Sequence, residues 1–233
     1  MKKILFVLLC IVSTRCFSQI KIGVEGGYNS ASFAQSGETS IPHYGNSPSS
    51  ISTFNAGIVS EIPLGNNLFL RPGLFYFGNG SHINSQGGDS GYENSSHMTI
   101  QLYYLRLPVS LEYKMMLNNR FNVLMAIGLY AAKGLSGIGK GNGEGSSPTA
   151  GPYAFSFGNK VDFSNDNSSS SQNNVEIKPL DFGFNVLVGI EWNNFQLTAN
   201  CSRSFPQVYS VGGYNYRNAV FGCSLAYLFS LKK

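Results

Sequence analysis

Long apolar runs, charge and cysteine are all scarce in this 233-residue chain, and each scarcity excludes a class of protein. Beyond the N-terminus no stretch of eighteen apolar residues occurs, so no helix is expected to cross a membrane. Of the four cysteines, Cys10 and Cys16 fall in the N-terminal segment, and Cys201 and Cys223 alone cannot build a disulfide framework. The chain carries 16 Lys and Arg against 12 Asp and Glu, but Lys2, Lys3 and Arg15 lie in that same segment, which leaves 13 bases against 12 acids. A near-neutral remainder, despite the basic pI, implies neither nucleic-acid binding nor an anionic partner.

Lys2 and Lys3 precede an apolar run at 4–12, and Cys16-Phe17-Ser18 puts small residues at both recognition positions of a cleavage site. Residues 1–18 therefore read as a secretory signal peptide and 19–233 as the mature domain. Nine apolar residues are too few to span a bilayer, and Arg15 stands where a lipoprotein signal requires a small residue.

Gly, Asn, Ser and aromatic residues are abundant instead, arranged in alternating stretches. Strands are expected at 20–33, 53–64, 68–78, 98–115, 121–135, 180–192, 195–205 and 218–231. Tight joints at 64–68, 116–120 and 192–195 take turns with long polar joints at 34–52, 79–97, 136–179 and 204–217. An even count lets an antiparallel sheet close with both ends of the chain on one side. The expected fold class is therefore all-β: an eight-stranded up-and-down transmembrane β-barrel with short periplasmic turns and long extracellular loops.

Alternate residues of a strand face opposite sides. At 180–192, Phe182, Phe184, Val186, Val188, Ile190 and Trp192 share one face, and Asp181, Asn185 and Glu191 share the other. A soluble sheet also alternates. Here, however, aromatic residues gather at the ends of the apolar faces and charges of both signs occupy the opposite faces, as a lipid-facing barrel requires. An eight-stranded barrel is just wide enough to be filled by side chains, so Lys21, Glu25, Glu61, Arg71, Arg106, Glu112, Lys114 and Glu191 are expected to pair inside it. A three-residue turn at Gly65-Asn66-Asn67 sets Glu61 opposite Arg71. A two-residue turn at Asn193-Asn194 puts Cys201 and Cys223 on paired strands facing lipid. Directly opposed strand cysteines make strained bridges, so two free thiols are expected over a disulfide.

Motifs that carry chemistry are weak. The segment 134–141 nearly spells a phosphate-binding loop, but Gly141 replaces the hydroxyl residue that holds magnesium and no helix can follow, so it reads as a flexible loop. Asp162, Asn165, Asp166 and Asn167 offer oxygen ligands without the spacing of a calcium loop, and Ser168 to Ser171 continue them as a polar run. His43, His82 and His97 all fall in expected outer loops, where a hydrolase or acyltransferase site acting on lipopolysaccharide would need them to meet in space. No catalytic, cofactor-binding or metal-binding residue is assigned, and the chain is expected not to be an enzyme.

The stretch YYLRLPVSLEYKMMLNNRFNVLMAIGLYAAKG, the later LDFGFNVLVGIEWNNFQLTANCSRSF and the ending AVFGCSLAYLF resemble the outer-membrane β-barrel proteins of Bacteroidetes commonly called PorT-like. The resemblance covers essentially the whole mature chain and implies an outer-membrane location. Its motifs are architectural, so no functional residue follows from it. The leading expectation is a structural or interaction protein of the cell envelope, with accessory work in secretion as the reading the family name suggests. A small gated channel and a lipopolysaccharide-modifying enzyme are the alternatives. The expected partners are outer-membrane lipid and lipopolysaccharide, the outer-membrane assembly machinery and envelope or secretion proteins, without nucleic acid or cofactor.

Overall fold

The computed structural model describes residues 20–36, 44–89, 92–118, 120–149, 151–163, 175–211 and 214–230. The expected signal peptide at 1–18, His43, the polar run Asn165 to Ser171 and Leu231 lie outside the described residues. Among the described residues twelve strands follow one another: β1 (Lys21–Ser36), β2 (Tyr44–Ser49), β3 (Ile51–Gly65), β4 (Leu68–Asp89), β5 (Tyr92–Met116), β6 (Phe121–Ser147), β7 (Gly151–Phe163), β8 (Val175–Ile177), β9 (Leu180–Trp192), β10 (Phe195–Ser204), β11 (Tyr209–Val211) and β12 (Tyr214–Ser230).

Eight of these close a ring. β1 pairs with β3, β3 with β4, β4 with β5, β5 with β6, β6 with β9, β9 with β10, β10 with β12, and β12 returns to β1, every pair antiparallel. Closure leaves no unpaired edge in the ring, which is the condition for strands to cross hydrocarbon. Lys21 stands opposite both Ser230 and Glu61, so both ends of the described chain lie at the end where the short turns are.

The first of those turns differs from expectation. Asn66 and Asn67 form a two-residue turn with φ of 49° and 65°, and Gly65, at φ 108°, pairs with Leu68. Asparagine tolerates the left-handed region better than most residues, and the hairpin twist demands it at both central positions. A bulge between Pro63 and Gly65 absorbs the extra residue, so Ile62 still faces Leu70 and the register beyond is the expected one.

The long joints are corrected more substantially. β4 and β5 continue as a paired ladder to Asp89 and Tyr92, where loop was expected from 79 to 97. β6 runs on to Ser147, and β7 returns along it from Gly151 to Lys160. The phosphate-loop look-alike at 134–141 is thus strand, paired with β5 and in part with β7, and not a flexible loop. β2 lies along the extended β4, β11 along β12, and the three-residue β8 runs parallel to β7. Gly, Ser and Asn carry little strand propensity of their own; here a neighbouring ladder supplies the hydrogen bonds that hold them extended.

Outward positions are apolar and exposed: Leu105, Leu107, Val109 and Leu111 on β5, and Phe182, Val188, Ile190 and Trp192 on β9. Their sequence neighbours Arg106, Glu112, Lys114, Asp181 and Glu191 point inward and are buried. Exposed apolar area on this scale is stable only against lipid. At the turn end the outer surface finishes in Phe195, Tyr227 and Phe229, with ring centroids 4.8 Å apart in each contact. At the far end it finishes in Phe54, Tyr76 and Tyr103, the last two stacked at 5.0 Å. Cys201 and Cys223 are free and exposed on the outer face. They are not directly opposed: Cys201 pairs with Phe221 and Cys223 with Ala199, a two-residue offset from the expected alignment.

Candidate functional site

The interior is stacked in layers, and all eight charged residues expected there face it. Seven converge at the periplasmic end. Arg71 projects from β4, donates from Nη1 to Glu61 at 3.3 Å and to Glu112 at 3.0 Å, and from Nη2 to Glu25 at 2.9 Å. Lys114 on β5 reaches Glu61 at 2.7 Å and Glu112 at 3.4 Å and also donates to Glu191. Lys21 stands 3.6 Å from Glu191. Four carboxylates thus meet three cations in a space almost closed to solvent. Such a cluster is tolerated only because each charge has partners, and removing one partner strands the rest.

Gln196 binds this layer together and was not singled out from the sequence. Its Nε2 donates to Glu61 at 2.5 Å and to Glu191 at 2.6 Å, while its Oε1 accepts from Arg71 at 2.6 Å. The signal for it was present. A two-residue turn at Asn193-Asn194 places Gln196 directly opposite Glu191, on the same inward face. Asn122, which donates to Glu191 at 3.0 Å, follows from the same parity on β6.

Above this layer the lining becomes neutral and polar. Asn55 donates to Asn29 at 2.8 Å and Asn185 to Ser110 at 2.9 Å, around a cavity of about 60 Å³ that reaches from Arg71 to Arg106. That is room for a few waters.

Arg106 is the eighth expected residue and stands apart from the other seven. Its guanidinium lies 3.6 Å from the centroid of the Tyr130 ring and 4.3 Å from that of Phe77, and it donates to Ser202 at 3.1 Å. Its counter-charge is indirect: Tyr130 donates its hydroxyl to Asp181 at 3.4 Å, and Asp181 also accepts from Asn218 at 2.8 Å and from Ser204. Asp181 lay on the inward face in the sequence reading but was not named among the interior charges.

At the extracellular end the filling turns apolar. Phe33, Ile83, Ile100, Leu102, Tyr104, Val161, Ile177, Val208 and Tyr216 form one buried cluster, to which β7, β8 and the segment before β11 contribute. The strand extensions therefore fold over the barrel mouth as well as lengthening its wall.

Beyond the mouth the outward face of the extended ladder is polar. Asn84, His97 and Asn142 are aligned in one cross-strand row, and Gln86, Ser95 and Glu144 in the next. These rows and the row between them, Ser85, Ser96, Gly143 and Phe155, which faces the other side of the ladder, border an open cleft of about 420 Å³. His82 stacks on His97 at 5.5 Å and shares a 2.7 Å hydrogen bond with Thr99. Asp162 stands on β7, while the Asn and Asp residues expected to join it lie outside the described residues. Among the described residues, no three or more His, Cys, Asp or Glu are grouped to hold a metal ion.

Comparison with known proteins places this architecture. Solved structures similar to it include Neisserial surface protein A, at 10% identity over 90% of this chain and 97% of that one with a TM-score of 0.36. Another is the outer membrane protein OprG of Pseudomonas aeruginosa, at 9% identity over 92% and 97% with a TM-score of 0.44. A third is the outer membrane protease OmpT of Escherichia coli, at 10% identity over 91% and 97% with a TM-score of 0.44. The third corrects the expectation that the chain is not an enzyme, since its neighbours in fold include a protease; at this identity the likeness concerns fold and assigns no activity to this chain. No curated protein matches the sequence. The model of one family does, over residues 13–210, from inside the expected signal peptide to the start of β11, and the chain belongs to that family, the outer membrane protein beta-barrel domain.

Proposed function

We propose that this chain is an interaction protein of the outer membrane, in which the barrel anchors and orients an extracellular sheet that receives a partner from the envelope. The observation that carries this reading is the double occlusion of the lumen. The Arg71, Lys114 and Glu61 cluster fills the periplasmic end, and the Leu102, Tyr104 and Tyr216 cluster fills the extracellular end. A path for solutes would have to break a buried ionic network at one end and an apolar core at the other. The extended sheet carries instead a polar cleft outside the barrel, where a partner can reach it.

Delivery by an N-terminal signal peptide and accessory work in secretion, as in the PorT-like proteins that the chain resembles, are consistent with this reading. The test is conductance. Purified protein inserted into planar bilayers should leave the current at the level of lipid alone across the working voltage range. Stable unitary currents would replace this reading with that of a small channel. A photoreactive amino acid at Gln86 in cells should crosslink one envelope protein, and uniform background labelling would count against the cleft as the contact.

A further inference from the structure

Near-neutral net charge conceals a segregation of charge on the outer surface. The outward face of β6 from Phe121 to Ala131 carries no charge, and the next outward residue is Lys133. On β10 the outward face runs Phe195, Leu197, Ala199, Cys201 and then Arg203. On β12 it runs, from the turn end, Phe229, Tyr227, Leu225, Cys223, Phe221, Ala219 and then Arg217. Between them, β9 is apolar from Trp192 to Leu180 and is preceded by the exposed Lys178. Three neighbouring strands thus carry a base just above their apolar outward span, and β9 is preceded by an exposed one, all toward the extracellular end. Up to this level the other four strands of the ring carry no outward charge; farther out, the outward faces of the extensions carry Glu93 on β5 and Lys140 and Glu144 on β6.

The bases surround an aromatic group. Phe205 contacts Phe182 and Phe184, with ring centroids 6.1 and 6.0 Å apart. Arg203 is level with Phe184 on β9, and Lys133 is level with Leu180. Arg217 donates from Nε to the Phe205 carbonyl at 3.1 Å, which holds its guanidinium against this group while other N–H donors remain available. None of Lys133, Lys178, Arg203 and Arg217 has a salt bridge to a described carboxylate.

From this placement we infer that one side of the barrel, centred on Arg203 and Arg217, binds a phosphorylated glycolipid of the outer leaflet. Its acyl chains would lie against Phe182, Phe184 and Phe205, and its phosphates would meet the four bases. Arginine suits such a site because its planar fork pairs two donors with phosphate oxygens, and the low dielectric beside hydrocarbon strengthens the contact. A second copy of this chain is a poor occupant. The outward carboxylates among the described strand residues, Glu93, Glu144 and Asp162, all stand on the strand extensions and not on the apolar span, so two barrels packed through that span would offer these bases no counter-charge. Position at the extracellular end alone selects a lipid of the outer leaflet, since the turn end of the same strands carries Phe121, Trp192, Phe195 and Tyr227 instead.

The inference rests on the outer-membrane location and not on the closed lumen, so the two fail separately. A conducting barrel that still binds lipid would remove only the proposed function, and a silent barrel that binds none would remove only this site. The full chain, purified in detergent, should retain phosphorylated lipid A in native mass spectrometry. The Arg203→Ala/Arg217→Ala variant should retain it on the order of thirtyfold less. Arg203→Lys/Arg217→Lys should keep most of the binding, and Lys140→Ala/Lys160→Ala, farther out on the extensions of β6 and β7, should match the parent.

Equal retention by the double alanine variant, or equal binding of dephosphorylated lipid A, would overturn the site. Phosphatidylglycerol bound as tightly as lipid A would overturn the assignment to a glycolipid. A heat-dependent gel shift confirms folding of each variant. If the double alanine variant lacks that shift, the comparison of phosphorylated with dephosphorylated lipid A on the parent chain decides the question alone.

Discussion

Arg71 and Glu61 meet at 3.3 Å across the first hairpin, in the register set by Ile62 opposite Leu70. The pair is one edge of a network in which Arg71 also holds Glu25, Glu112 and Gln196. Replacing Arg71 with Ala leaves three carboxylates without their shared cation, at a cost of about 3 to 5 kcal/mol. Adding Glu61→Gln should recover part of that loss, so the double variant should cost clearly less than the two single ones summed. Reversible unfolding in lipid vesicles measures the cycle, and additivity would mean that the two side chains do not meet in the membrane.

The apolar outer surface and the closed ring together fix how the protein should behave on isolation. It should fractionate with the outer membrane and, in detergent, migrate differently on gels before and after boiling, because a closed antiparallel ladder resists detergent until heated. A protein recovered in the soluble periplasmic fraction, with no heat-dependent shift, would be at odds with both features.

Cys201 and Cys223 face lipid on paired strands but are offset by two residues. Diagonal positions of this kind lie roughly 7 to 8 Å apart, beyond the reach of an unstrained disulfide. Mass spectrometry of unreduced protein should therefore give the mass of two free thiols. A quantitative link between them would require a shift of register between β10 and β12.

Parity made the ring legible from sequence, and lack of contrast hid the rest. Phe182 to Trp192 alternate cleanly because one face meets lipid and the other, with Asn185 and Glu191, lines the interior. At Asn84, Ser85, Gln86 and Gly87 both faces are polar, so nothing in the residues distinguishes strand from loop. What makes them strand is the pairing with Asn94 to His97, which no local pattern records. Asp181 was missed for a different reason. Its partners Tyr130, Ser204 and Asn218 come from three other strands, and only the closed barrel brings them together.

That assembly around Asp181 gives a graded test of the upper layer. Asp181→Ala would leave the Asn218 amide, the Ser204 hydroxyl and the Tyr130 hydroxyl without an acceptor, and Arg106 without a counter-charge behind the Tyr130 ring. The expected loss is about 3 kcal/mol or more, because a buried guanidinium and several buried donors are stranded at once. Asp181→Asn keeps one acceptor oxygen and should cost clearly less. Tyr130→Phe removes only a 3.4 Å hydrogen bond while keeping the ring under Arg106, and should cost about 1 kcal/mol. Unfolding in lipid vesicles ranks the three. If Tyr130→Phe proved as damaging as Asp181→Ala, the hydroxyl link and not the carboxylate would be holding Arg106 in place, and the electrostatic account of this layer would fail.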